Sequence, residues 1–101
     1  MHIVDSLYNI TKNDNKESRY AYRMIKEDFF GGQAFGIEAE RQDLVEGNVV
    51  AIERDEIRKI SNIEGKVKEL LNLINVNKVS PIHLVDILGE YVDNYVSDFN
   101  L

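Results

Sequence analysis

"VVAIERDEIRKISNIEGKVKELLNLI", residues 49–74, contains the change of period that decides the fold. Before Ser61 the side chains alternate, with Val50 and Ile52 on one side and Ala51 and Glu53 on the other. That is the repeat of a half-buried strand. From Ser61 onward the apolar residues fall at Ile63, Val67, Leu70, Leu71 and Ile74. Those spacings form one stripe on a helix of 3.6 residues per turn. "SNIE" (61–64) has the form of a capping box, with Ser61 at the cap and Glu64 answering three residues later. The chain therefore divides into a β half, 1–60, and a helical hairpin, 61–97. "EIRKIS" (56–61) either continues the fourth strand past a bulge or forms a short fifth strand.

Upstream, "DLVEGN" (43–48) is a turn, with Gly47-Asn48 supplying the permissive backbone. "QAFGIEAERQ" (33–42) is the third strand, with Phe35, Ile37 and Ala39 opposite Gly36, Glu38 and Glu40. Gly31-Gly32 marks a tight hairpin. "RYAYRMIKEDF" (19–29) is a strand with Tyr20, Tyr22 and Met24 at period two. The polar run "KNDNKES" (12–18) reads as a long hairpin loop. The first strand, "HIVDSLYNIT" (2–11), has apolar residues on both faces.

Downstream, "NVNK" (75–78) ends the first helix. Ser80 is a natural N-cap and Pro81, the only proline, fits the first helical position. Leu84, Val85, Leu88, Tyr91, Val92 and Tyr95 share one arc of the second helix. His83, Asp86, Glu90, Asp93 and Asn94 fill the opposite arc. The expected architecture is a single α+β domain, 1–101. It has an antiparallel meander of four or five strands, then two antiparallel C-terminal helices packed on one sheet face.

Composition narrows the function classes. Apolar residues make up 44% of the 101 and charged residues 30%, a globular balance. There is no cysteine, which excludes disulfides, thiolate metal sites and cysteine nucleophiles. Net charge is −6, and Lys and Arg are interleaved with acids, so a nucleic-acid backbone is not an expected partner. The N-terminus lacks the pattern of a signal peptide, and the aliphatic run "VVAI" is too short to span a bilayer. No membrane association is expected, and the expected compartment is the cytoplasm.

Several groups invite a chemical reading. His83, Asp86 and Glu90 stack along one helix side, but a second histidine at the spacing of a zinc helix is missing, so the solvated reading is preferred. If the Phe35/Ile37/Ala39 face meets Val50/Ile52, then Glu38, Glu40 and Glu53 share the opposite face, near Asp43 and Asp55. Such carboxylates can hold a hard cation or perturb one another's titration. The competing reading gives them Arg41, Arg54 and Arg58 as counter-charges. The glycines of "FFGGQAFG" (29–36) precede no helix and are not a phosphate loop. With only His2 and His83 in the chain, a serine–histidine site is not expected. No cofactor is expected.

"FGIEAERQD" (35–43), "IERDEIRKIS" (52–61) and "VSPIHLVDILGEYV" (79–92) together resemble a family of small, uncharacterised proteins of clostridia and related Firmicutes. The resemblance covers residues 20–96, and the first twenty residues lie outside it. It implies a bacterial cytoplasmic protein and lends no catalytic residues. The expected function is a non-enzymatic interaction or regulatory protein with a protein partner. One alternative is an acidic inhibitor that mimics nucleic acid on a basic surface. The other is a small metal binder or enzyme using Glu38, Glu40 and Glu53. The two-faced first strand suggests a homodimer with Tyr8, Tyr20 and Tyr22 in the contact.

Overall fold

The computed structural model describes residues 1–99. Four long strands pair antiparallel in sequence order: β1 His2–Asn13, β2 Lys16–Phe29, β3 Gly32–Val45 and β4 Asn48–Ser61. Helix α1, Glu64–Val76, follows directly, then a 3-10 turn at Pro81–His83, helix α2, Leu84–Tyr95, and a last 3-10 turn at Val96–Phe99. The α+β meander with two C-terminal helices is as the sequence implies, with four strands.

Two-residue turns make the strands long. Phe30 and Gly31 both have positive φ, +49° and +79°, as do Glu46 and Gly47, +51° and +82°. Paired positive φ is the hairpin geometry whose twist matches the flanking strands. The turns therefore sit one residue before Gly31-Gly32 and Gly47-Asn48. "KNDNKES" (12–18) is not a loop. It turns at Asp14 and Asn15, while Lys12 pairs with Glu17 and Asn13 with Lys16.

A bulge decides which side of β4 faces the helices. Val45 pairs with Asn48 and Leu44 with Val49, but Asp43 pairs with Ala51. The extra residue in β4 flips every later side chain. Ile52 consequently pairs with Gln42 and Glu53 with Arg41. The expected meeting of Phe35, Ile37 and Ala39 with Val50 and Ile52 does not occur. A second irregularity follows, with Ile37 opposite Ile57 but Phe35 opposite Ser61. "EIRKIS" is thus the bulged end of β4 and no fifth strand.

The core lies between one sheet face and the helices. Tyr22, Met24, Ile37 and Ala39 meet Val67, Leu71 and Ile74 of α1 and Leu84 and Leu88 of α2. Burying each large side chain contributes about 1.5–3 kcal/mol. α2 is seated more shallowly than its apolar arc predicts. Leu84 and Leu88 are buried and Val92 and Tyr95 partly so, while Val85 and Tyr91 are exposed. α2 packs chiefly over β4, an outer strand, which offers it a narrow floor.

Ser80 holds the N-cap position with Pro81 first in the 3-10 turn, as expected, but neither Ser61 nor Ser80 makes the side-chain capping bond. Ser61 ends β4, and its Oγ accepts from the Ile63 N–H at 3.0 Å and donates to Asp98 at 2.6 Å. Ser80 Oγ instead accepts from Arg41 Nη1 at 2.7 Å. The bond from Ser61 and the Lys66 ammonium, 2.9 Å away, hold the Asp98 carboxyl below its ordinary value. A carboxyl depressed in the folded state adds stability at neutral pH. That contribution is lost as pH falls below about 4 and through the folded value. We expect Asp98→Asn to lower the urea midpoint at pH 6, with the gap to wild type closing as the buffer is acidified. A gap that stays constant to pH 2.5 would show that Asp98 is not the linked group.

Candidate functional site

The sheet has two faces of different character. On the helix face, beyond the core, Arg41 of β3 pairs with Asp43 and Glu53, each at 3.2 Å, as well as with Ser80. Although burial works against its charge, the two carboxylates raise its pKa. Tyr22 donates to the Val79 carbonyl at 2.7 Å, and burial pushes its phenol upward. Asn9 Nδ2 donates to the Asn75 carbonyl at 3.0 Å. These bonds fasten the end of α1 and the connection to α2 onto the sheet.

No helix among the described residues packs on the other face. Its side chains form cross-strand rows: Lys12–Glu17–Leu44–Val49, Ile10–Arg19–Gln42–Ile52, Tyr8–Ala21–Glu40–Arg54 and Ser6–Arg23–Glu38–Glu56. The centre is a charge lattice. Arg23 bonds Glu38 at 2.8 Å and lies 3.6 Å from Glu40, which also pairs with Arg54. The outer strands carry large exposed apolar side chains. Ile3 is 60% exposed, Tyr8 69%, Ile10 53% and Ile52 52%. Scattered apolar residues on a surface are ordinary, but these four share one sheet face.

The sequence-predicted groups are divided between these faces. Glu38 and Glu40 lie together on the open face, each neutralised by an arginine, whereas the bulge places Glu53 on the helix face with Arg41. The three carboxylates therefore form no common site. Among the described residues no group of three or more His, Asp or Glu side chains is placed to hold a metal. Tyr8 pairs with Ala21 on the open face, but Tyr20 and Tyr22 stack at 6.1 Å on the helix face, and Tyr22 is fully buried. Tyr22 cannot meet a partner. His83, Asp86 and Glu90 are exposed on α2. His83 also borders a shallow groove of about 390 Å³ with Leu73, Asn77, Val79 and Ile87, which gathers no converging charged groups. What residue-by-residue reasoning missed is Ile52. Its exposure depends on the bulge, for which the sequence gives no signal at Asp43 or Val50.

A family model described as a family of unknown function (DUF6514) matches residues 1–94. The match includes the first twenty residues, which the resemblance of the three segments leaves out. No curated protein and no solved structure matches the chain. No helix among the described residues is long and apolar enough to cross a membrane.

Proposed function

The chain belongs to this family of unknown function (DUF6514), and we propose that it is a non-enzymatic protein-interaction module that binds through its open sheet face. One observation carries this reading: Ile3, Tyr8, Ile10 and Ile52 stand exposed on a sheet face over which no second layer packs among the described residues. A solvated sheet face normally alternates to polar residues. Here the polar centre is internally paired, which leaves the apolar margins as the adhesive part. The acids on this face are matched in number by cations, with Arg23 beside Glu38 and Arg54 beside Glu40, which favours a neutral, shape-matched protein partner over the basic surface that a nucleic-acid mimic would need. The three-segment resemblance supports reading it as a cytoplasmic protein of a clostridial or related bacterium.

The test is site-specific photo-crosslinking in the producing cell. A photoreactive phenylalanine analogue at Tyr8 should yield a discrete covalent product, identified by mass. The same group at Asp86, on the outer side of α2, should give none. Products from Asp86 alone would move the binding surface to the helices and end this proposal.

A further inference from the structure

We infer that the occupant of the open face is a second copy of the chain, docked face to face about a two-fold axis running along the strands between β2 and β3. The inference rests on the open face being an interaction surface. Three observations point to this occupant.

The first is charge. The chain carries a net −6, so two copies repel through most of their surface. Within the paired rows, however, the open face has four cations, Lys12, Arg19, Arg23 and Arg54, and four acids, Glu17, Glu38, Glu40 and Glu56. It is neutral, and two copies can meet there without net repulsion.

The second is self-complementarity. A two-fold axis along the strands lays β1 over β4 of the second copy, and β2 over its β3, row upon row. Ile10 then faces Ile52 of the second copy, because both stand in one row with Arg19 and Gln42. Tyr8 faces Arg54, a cation over an aromatic ring, since these share the next row. In the row after that, Arg23 faces Glu38, so the arginine–carboxylate pair of each chain becomes one alternating four-charge cluster. Between the copies no like charges face one another in these rows; Glu56, beside Glu38, faces Ser6 of the second copy. Aligned sheets pack at about −30°, which keeps this correspondence closest near the centre. The alternative two-fold, across the strands, sets β1 on β1 and lacks the Ile10–Ile52 and Tyr8–Arg54 matches.

The third is area. Four strands of 12–14 residues, about 40–46 Å long and spaced about 4.8 Å apart, present roughly 800–900 Å². A standard interface buries about 800 Å² per partner. The face is therefore of the size that a specific dimer uses.

The chain has no cysteine, so single introduced cysteines are unique reporters. Ile10 and Ile52 lie on opposite outer strands, about 14 Å apart at strand spacing, beyond reach of a disulfide within one chain. The unmodified chain should rise with concentration from 11.6 kDa toward twice that mass in sedimentation equilibrium. Mixing the Ile10→Cys and Ile52→Cys chains under mild oxidation should give the mixed disulfide at least tenfold faster than either chain alone gives its own. Equal rates, or a preference for Ile10→Cys with itself, would overturn the axis. A mass fixed at 11.6 kDa at all concentrations would overturn the second copy. If Tyr8 still cross-linked to another protein in that case, the open face would survive as an interaction surface. Absence of any Tyr8 cross-link removes both.

Discussion

Gly36→Ala is expected to cost about 3 kcal/mol, the upper end for forcing extra volume into a packed site. Gly36 lies in β3 opposite the bulged end of β4. A Cβ built there falls on the carbonyl oxygens of Ile57 and Arg58, well inside the 3.0 Å that real Cβ atoms keep. Those are backbone atoms, held by the β3–β4 pairing, and they cannot swing aside as a side chain would. The gap left by the missing side chain has a further use. Arg58 Nη2 reaches Glu27 of β2 at 3.0 Å, and Gly36 of β3 lies between those two strands. Gly65→Ala is the matched control, because its Cβ meets nothing within 4 Å inside α1. That substitution should stabilise by about 0.5–1 kcal/mol through helix propensity. Urea midpoints of the two variants should therefore move in opposite directions. A Gly36→Ala midpoint at the wild-type value would show that the two strands are not so closely opposed there.

The contrast between these glycines separates what pattern can and cannot reveal. The switch of period at Ser61 is visible because one stripe of residues satisfies a helix and no strand. The hairpins at Gly31 and Gly47 are visible to within one residue, because left-handed backbone needs glycine in a two-residue turn. The β1–β2 hairpin is hidden by composition. Its end lies beyond the helices, which span about 20 Å against strands of about 46 Å. Strand residues there are wet on both faces, so Lys12, Asn13, Lys16 and Glu17 look like loop. The capping bonds are missing for another reason: the Ser61 Oγ accepts from the Ile63 N–H, ahead of α1, and the Ser80 Oγ, though at its N-cap, accepts from Arg41, which is distant in sequence.

The candidate face was legible in part. Apolar residues on both sides of β1 are a property of the sequence, and the structure puts Leu7 against the core and Tyr8 and Ile10 in the open. Which tyrosines share a face was not legible, because parity between strands depends on register. The turn at Asp14 fixes that register, setting Leu7 opposite Tyr22 and Tyr8 opposite Ala21. The same logic separates Glu53 from Glu38 and Glu40, since one extra residue in β4 reverses its sides. Local periodicity carries no information about such an insertion.

Because the two faces are built from alternate residues of the same strands, stability and association should be separable by neighbouring substitutions. Tyr22→Phe keeps the buried ring but removes the hydroxyl that satisfies the Val79 carbonyl. Val79 is itself buried. Leaving its acceptor unpaired costs about 1–3 kcal/mol, and we expect about 2 kcal/mol in the urea midpoint. The loss should concentrate where the bond acts. Amide exchange at Val79, whose N–H bonds the Ile74 carbonyl at 3.0 Å, should speed up more than exchange in β2 and β3. The self-association mass at a given concentration should not change, because Tyr22 points away from the open face. Tyr8→Asp, on the neighbouring strand with its side chain on the opposite face, should behave in reverse. It should abolish association and, at a concentration where both proteins are monomeric, leave the urea midpoint within about 0.5 kcal/mol of wild type. If Tyr22→Phe weakened association as much as Tyr8→Asp, the helices would belong to the interface, and the division of labour between the faces would be wrong.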